Sequence, residues 1–370
     1  MINNIHFKCD RENILKGIIT VEKAVALRNV KPILEGVFIK AENNKIILKA
    51  TNLALSIETI IEGDILEEGS IVISARVFYE IISKYSLGEI DFKIQIDNKL
   101  CISNDHSKTF LTIMDADEFP EFPNVLETEE INLEENVFKN MINTTIFSSA
   151  ISDAKPILKG VLFEIENSIL NLVSLDGYRL AFRKKELDSQ VIDIKAIIPS
   201  SSLREVYKIL GDDDNMLSLY ISDNICYIKT DHTKIYTRLL EGDFIKYKNI
   251  LPSEYKTKIK LKKDDIFESV ERASILARSE KDKLVKFNIV DNILTITSTS
   301  ELGNAYEKVD IYLEGKNIDI AFNAKYLIDA FKAIEDDEIV LEFNTNVSPC
   351  VIRCDDNNSY LYLILPVQMR

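Results

Sequence analysis

The chain has 370 residues, of which 46% are hydrophobic and 28% charged, and its formal net charge is −15. This composition argues against long disorder and supplies enough apolar material for the cores of two or three domains. The acidic balance taken alone argues against nucleic-acid binding, because phosphate contacts need Lys and Arg, unless the basic side chains share one surface.

Targeting signals are not evident in this sequence. The N-terminal residues MINNIHFKCD lack the basic and apolar regions of a signal peptide, and no run of about 18 apolar residues predicts a transmembrane helix. The five cysteines are scattered and odd in number, which is typical of reduced thiols. We therefore expect a cytoplasmic protein with no membrane association.

Six amphipathic helices are predicted, two in each third of the chain. Each has apolar residues at i, i+3 and i+4 spacing, as Phe78 and Ile82 illustrate. In chain order the predicted helices cover residues 10–27, 75–85, 134–148, 201–210, 263–276 and 324–334. Ser74, Ser200 and Asn323 precede three of them and are predicted N-caps.

Between the helices, alternating apolar and polar residues predict β-hairpins. Turns are predicted at Asn43–Asn44 within IKAENNKIILKAT, at Asp97–Asn98 within DFKIQIDNKLCIS, and at Asp223–Asn224 within NMLSLYISDNICYIKT. Asn and Asp favour such turns because they tolerate a left-handed backbone. The pattern predicts α+β domains rich in antiparallel sheet.

The sequence repeats itself three times. Residues 31–37, KPILEGV, and residues 155–161, KPILKGV, share six of seven positions at an offset of 124. At the same offset, VLFEIENSILNLVS from Val161 and VKFNIVDNILTITS from Val285 share one apolar pattern. Three registers that fill nearly the whole chain predict three similar domains.

The ends of the first two repeats also match each other. EFPEFPNVL at residues 118–126 corresponds to DFIKYKNIL at residues 243–251, at an offset of 125. We therefore predict domain one at residues 1–126, domain two at residues 127–251 and domain three at residues 252–370.

Together, the repeats and several local motifs resemble the bacterial DNA polymerase III beta subunit, or beta sliding clamp, family over the whole chain. Each motif alone is weak, but their order and spacing are specific. They are KPILEGV (31–37), DEFPEFPNV (117–125), SLDGYRLAF (174–182), GDFIKYKNILP (242–252), FNAKYLIDAF (322–331) and YLYLILPVQMR (360–370).

The resemblance implies an α+β fold of three tandem clamp domains, with antiparallel sheets outside and two helices per domain lining a ring. Two subunits would join head to tail as a homodimer that encircles double-stranded DNA, independent of sequence, as a processivity factor in replication. Helix Lys and Arg would face the DNA and acidic residues the rim, which accounts for the net charge. The family implies no catalytic residues, no cofactor and no metal.

The resemblance further implies a pocket that binds short linear motifs of the DNA polymerase III alpha subunit, the clamp loader, other polymerases and repair proteins. Its apolar residues would hold Leu or Phe anchors, with Arg179 and Asn323 as polar contacts. Gln368 stands where the usual Met-Pro-Met-Arg-Leu ending has its arginine. The implied residues are Leu158, Leu175, Gly177, Tyr178, Arg179, Leu180, Ile245, Asn249, Ile250, Asn323, Tyr326, Val347, Pro349, Leu363, Ile364, Leu365, Pro366, Val367, Gln368 and Met369.

Two further surfaces follow from the resemblance. Arg28 and Ser152 match family positions that touch DNA, although Ser152 is shorter than the polar residue found there in some relatives. The basic helix residues implied beside them are Lys84, Arg204 and Lys332. The implied dimer interface joins Phe110 and Leu111 of one subunit to Ile275 and Leu276 of the other.

Two alternatives from other functional classes can be weighed on the residues alone. One is a β-rich scaffold that binds proteins but not DNA. The other is a metal-dependent hydrolase that uses the carboxylates of residues 212–214. These carboxylates fall between a predicted helix and a predicted strand, which favours a solvated loop. Cys350 and Cys354 are too few for a zinc site, and no nucleophile motif or P-loop is present.

Overall fold

The computed structural model describes residues 4–26, 31–95, 98–125, 129–152, 154–222, 224–277, 283–354 and 359–368. The chain divides into two compact units: unit 1 is residues 1–136 with 205–239, and unit 2 is residues 137–204 with 240–370. The predicted second domain, residues 127–251, therefore contributes to both units.

The strands of the described residues form four antiparallel sheets. In chain order they are β1 (His6–Asp10), β2 (Gly36–Glu42), β3 (Lys45–Thr51), β4 (Leu55–Glu62), β5 (Asp64–Glu67), β6 (Gly69–Ser74), β7 (Glu89–Gln95), β8 (Lys99–Ser103), β9 (Lys108–Thr112), β10 (Ile131–Glu134), β11 (Gly160–Glu166), β12 (Ile169–Leu175), β13 (Arg179–Glu186), β14 (Ile194–Pro199), β15 (Met216–Ile221), β16 (Ile225–Lys229), β17 (Thr233–Arg238), β18 (Thr257–Lys262), β19 (Leu284–Val290), β20 (Ile293–Ser300), β21 (Gly303–Asp310), β22 (Tyr312–Gly315), β23 (Ile318–Asn323), β24 (Glu338–Phe343), β25 (Cys350–Arg353) and β26 (Tyr360–Ile364).

Unit 1 holds a five-stranded sheet, β5-β1-β7-β8-β9, and an eight-stranded sheet, β10-β15-β16-β17-β4-β3-β2-β6. Unit 2 holds a nine-stranded sheet, β14-β11-β12-β13-β26-β25-β24-β18-β22, and a four-stranded sheet, β21-β20-β19-β23. In the nine-stranded sheet β13 pairs with β26, so that Arg179 lies opposite Ile364. This pairing places the turn before β13 beside the C-terminal segment.

The predicted hairpins are confirmed where the structure describes them. Asn43 and Asn44 have φ values of 49° and 58°, and β2 and β3 pair directly across that turn. The strands on either side of the other two turns pair as predicted, β7 with β8 and β15 with β16. Asp97 and Asp223 themselves lie outside the described residues.

Six α-helices occur in the described residues, at the six predicted places. They are α1 (Arg11–Val21), α2 (Ala75–Ile82), α3 (Glu135–Asn143), α4 (Ser200–Ile209), α5 (Lys263–Ala277) and α6 (Ala324–Lys332). Their apolar stripes face the cores, and Phe78 and Ile82 of α2 are fully buried. We find no helix in the described part of the chain with the length and hydropathy needed to cross a membrane.

Several predicted helix ends were wrong. Helix α3 stops well before Ser148, because the hydroxyls of Thr144 and Thr145 donate to the carbonyls of Asn140 and Met141 at 2.8 and 2.7 Å and compete with the helical pattern. A 3-10 turn at Ile146–Ser148 follows. Helix α1 likewise ends early, at Val21, and continues as the 3-10 turn Glu22–Ala24.

Of the three predicted N-caps, one is confirmed and two are not. Asn323 caps α6, since its side-chain oxygen accepts from the backbone N–H of Lys325 at 3.0 Å. Ser74 makes no such bond, and Ser200 is the first residue of α4 rather than its cap.

Candidate functional site

A tight turn between β12 and β13 shapes the centre of the candidate site. The Asp176 carboxylate accepts from the backbone N–H groups of Tyr178 and Arg179, at 2.9 and 3.1 Å. Gly177 has a φ of +95°, a conformation that costs glycine little and other residues more. The turn leaves Tyr178 62% exposed and directs Arg179 inward.

Arg179 is 8% exposed and is held entirely by internal acceptors. Its Nε donates to Asp176 at 3.0 Å, Nη1 to Asp329 at 2.6 Å, and Nη2 to the carbonyl of Phe147 at 2.7 Å. The guanidinium also lies 4.6 Å from the ring centre of Tyr326. Arg179 thus holds the turn against α6, and its predicted polar contact with a ligand stays a prediction.

The leucines predicted to line the pocket form a buried floor. Leu158, Leu175, Leu180 and Leu363 pack in one apolar cluster, which also contains Tyr247. Ile364 is likewise buried, in the neighbouring core cluster. These side chains support a surface rather than form its exposed part.

Exposed apolar side chains lie around this floor. The rings of Tyr178 and Tyr326 stack with centroids 6.3 Å apart, and the backbone N–H of Leu365 donates to the carbonyl of Tyr178 at 2.8 Å. The Val367 N–H donates to Ala321 at 2.8 Å, which fixes the C-terminal segment on β23. The exposed members of the predicted set are Gly177, Tyr178, Ile245, Asn249, Ile250, Val347, Leu365 and Gln368, and the partly buried ones are Asn323, Tyr326, Pro349, Pro366 and Val367. Met369 lies outside the described residues.

Residues predicted to touch DNA are exposed wherever they are described. Lys84 follows α2, Arg204 lies on α4, and Ser152 lies in the loop after α3, where its hydroxyl accepts from the N–H of Ala154 at 3.3 Å. Lys332 ends α6 and forms an ion pair with Glu271 at 3.4 Å. Arg28 lies outside the described residues.

Two of the predicted interface residues lie on an edge strand, and the other two lie on a helix that packs against an edge strand. Phe110 is exposed and Leu111 partly buried on β9, the edge strand of the five-stranded sheet. Ile275 is 63% exposed on α5, and Leu276 beside it is partly buried. Helix α5 packs against β20 and the edge strand β21. Each place combines exposed apolar surface with a sheet edge that can accept another strand.

The residues on which the alternative functions would depend lie in a solvent-exposed loop or make contacts that do not indicate a metal site. Residues 212–214 are exposed, and the carboxylate of Asp214 accepts from the side-chain amide of Asn136 at 2.7 Å. Cys350 is buried, while the thiol of Cys354 lies 3.5 Å from Asp336. Over the described ranges, no group of three metal-binding side chains occurs.

Sequence reasoning missed the contacts that fix the site. Asp329 lies three residues after Tyr326 on α6, so both face the guanidinium of Arg179, yet nothing in the sequence pairs residues so far apart. Tyr247 in DFIKYKNIL is not among the predicted site residues, although it differs from Phe122, which stands at its place in EFPEFPNVL. That difference between two matching segments was the available signal.

Family models match the chain in three consecutive blocks. Residues 5–123 match the N-terminal domain of the DNA polymerase III beta subunit, residues 132–246 its central domain, and residues 248–368 its C-terminal domain. The chain belongs to the DNA polymerase III beta subunit family. This confirms the predicted α+β fold with three clamp domains.

Relatives within this beta subunit family match the chain from end to end. It is 33% identical over 378 residues to the beta sliding clamp of Halalkalibacterium halodurans, covering 98% of this chain and 100% of that one. The beta sliding clamp of Staphylococcus epidermidis is 32% identical over 374 residues, covering 98% and 99%. The crystal structure of the DNA polymerase sliding clamp from Bacillus subtilis superimposes with a TM-score of 0.96 at 30% identity, covering 99% and 100%.

Proposed function

We propose that the protein is a DNA sliding clamp: a processivity factor that encircles duplex DNA as a ring-shaped homodimer in the cytoplasm and catalyses no reaction itself. The observation that carries this proposal is the end-to-end match to beta sliding clamps through all three domains. We propose the domain boundaries at residues 126/127 and 251/252.

A closed ring retains DNA by topology, so its contacts with phosphates can be few and weak. Sequence-independent phosphate contacts that exchange rapidly permit sliding, whereas a strongly basic surface would slow it. A net charge of −15 is therefore compatible with this function. We assign the DNA-facing contacts to Arg28, Lys84, Ser152, Arg204 and Lys332.

The site around Tyr178 is proposed to bind short linear motifs of partner proteins. The alpha subunit of DNA polymerase III, the clamp loader, other polymerases and repair proteins are the partners we expect. Exposed apolar side chains above a buried leucine floor suit Leu or Phe anchors, and the C-terminal segment would form part of the wall. Arg179 acts here by holding the turn that carries Tyr178.

Retention on DNA tests the topological mechanism. The protein loaded onto nicked circular DNA by its clamp loader should remain bound through gel filtration, and cutting the circle once should release it. A protein that binds DNA by contacts alone would be retained equally on circular and linear forms. Equal retention on the two forms, or metal-dependent hydrolysis lost on replacing residues 212–214, would contradict the proposal.

Arg28→Glu should reduce loading on, or retention by, nicked circles several-fold while leaving the dimer intact. The reversed charge repels phosphates, and the defect should grow smaller as salt screens it. Light scattering provides the control for assembly, and Lys45→Glu, at an exposed position on β3 that is not among the proposed DNA contacts, provides the control for an added negative charge. Wild-type retention of the Arg28 variant would remove this residue from the DNA surface.

A further inference from the structure

Residues 240–251, here named the connector, link predicted domains two and three. It carries three of the proposed pocket residues, Ile245, Asn249 and Ile250, all of them exposed. Tyr247 between them is only 4% exposed and packs in the leucine cluster under the site. The connector therefore presents its ligand-facing residues on either side of one buried anchor.

The anchor ends in a buried carboxylate. The Tyr247 hydroxyl donates to Glu164 Oε2 at 2.7 Å, and Glu164, on β11, is 2% exposed. Lys195 contacts the other carboxylate oxygen at 2.9 Å, and Lys248 lies 3.6 Å away while also pairing with Glu166. A buried carboxylate requires such partners, since an unpaired one is costly.

The carboxyl of Glu164 is charged and the hydroxyl of Tyr247 is neutral, which strengthens the hydrogen bond between them. Burial opposes charge on Glu164, but the hydrogen bonds from Tyr247 and Lys195 outweigh it, so the pKa of the carboxyl is lowered. Burial and the adjacent Glu164 raise the pKa of Tyr247, so its hydroxyl keeps the proton that it donates. A neutral donor on a charged acceptor makes a hydrogen bond stronger than a neutral pair.

The first repeat provides an internal comparison. Lys40 stands 124 residues before Glu164, and Phe122 stands 125 before Tyr247, so the corresponding pair has neither a carboxylate nor a hydroxyl. The amine of Lys40 pairs with Glu42 on its own strand, and Phe122 instead lies under the amine of Lys49 at 5.2 Å. Of the two matching segments, residues 118–126 and the connector, only the connector carries proposed pocket residues, and it has the Tyr–Glu hydrogen bond.

We propose that the Glu164–Tyr247 hydrogen bond is a positioning device that fixes the connector in the conformation that binds peptide. Glu164 and Tyr247 are positioning residues: they act through Ile245, Asn249 and Ile250. Fixing a loop before binding removes an ordering cost, and apparent affinity falls in proportion to the fraction of molecules in the competent conformation. The role in recognition rests on the proposed peptide site, whereas the fixing of the connector does not.

Amide hydrogen exchange tests the fixing directly. The N–H groups of Tyr247, Asn249 and Ile250 donate to carbonyls within the connector, at 2.7, 3.1 and 2.9 Å. In Tyr247→Phe we expect these amides to exchange roughly ten-fold faster, because one charge-assisted hydrogen bond no longer opposes local opening. The matched control is Tyr220→Phe, which removes a hydroxyl that donates to Glu130 at 2.9 Å in unit 1 and should leave the connector unchanged.

Peptide binding tests the role in recognition. For a fluorescein-labelled clamp-binding peptide that contains Gln and Leu, Tyr247→Phe should raise Kd about five- to ten-fold by anisotropy. Glu164→Leu should raise the Kd by a similar factor. The Kd of the double variant should be no higher than that of whichever single variant binds the peptide more weakly. Two effects that merely damage packing would instead add.

The outcomes separate cleanly. If the connector amides of Tyr247→Phe exchange at the wild-type rate, the inference is overturned. It is also overturned if they exchange faster while the peptide Kd is unchanged, or if the effects of the two single variants on Kd simply add. If the wild-type protein fails to bind the peptide, the proposed site is wrong and the role in recognition falls with it, while the exchange rates still decide whether the bond fixes the connector.

Discussion

Replacing Ile275 with Ala and Leu276 with Asp is expected to convert the dimer into monomers. Ile275 is 63% exposed on α5, and burying such a side chain stabilises an interface by about 1.5–3 kcal/mol. Asp at position 276 would place a charge in the proposed apolar contact with Phe110 and Leu111 of the other subunit. Together these changes should weaken the dimer about a hundred-fold or more. Light scattering should report the mass of one chain.

Ile151 offers the control for this result. It is 83% exposed and lies in unit 2, as Ile275 does, but is not assigned to the interface. Ile151→Asp should remain dimeric at concentrations where the Ile275 and Leu276 variant is monomeric. A dimeric double variant with a normal melting temperature would show that the subunits join elsewhere.

Deleting residues 367–370 is expected to weaken binding of a Gln- and Leu-containing clamp-binding peptide by about a kcal/mol or more, or at least five-fold in Kd. The deletion removes Val367, which we propose lines the peptide site, together with its backbone bond to Ala321, but leaves the bond between Leu365 and Tyr178. No fully buried side chain among the described residues is lost, so the dimer and its melting temperature should be retained.

A shorter deletion serves as the comparison. Removing only Met369 and Arg370 leaves Val367 and Gln368 in place. The difference in peptide Kd between the two truncations therefore gives the contribution of Val367 and Gln368. Undiminished affinity in the longer truncation would place the peptide site elsewhere on the molecule.

Local features of the fold could be predicted because they depend on neighbours in the sequence. The apolar spacing of α2 and the Asn43–Asn44 turn each express a preference of a few adjacent residues. The end of α3 could not be placed in the same way. Threonine is common in helices, and only the structure shows the hydroxyls of Thr144 and Thr145 bonded to the preceding turn.

The sequence and the family resemblance predict the candidate site as a set of residues, but they do not show which of those residues are buried or what holds them. The ion pair of Arg179 with Asp329, 150 residues away in the chain, could not be predicted from the motif that contains Arg179. The leucines were expected to line a surface, yet they lie beneath it with Tyr247. Such assignments depend on which distant segments meet, and the spacing of residues within one segment carries no record of that.

The division of the sheets has a consequence for how this molecule was built. Strand β17 of the second repeat pairs with β4 of the first, and β13 of the second pairs with β26 of the third. The segment copied along the sequence is thus not the segment that packs as one body. Removing any one repeat would therefore interrupt a sheet and leave the backbone groups of at least one strand without their partner strand.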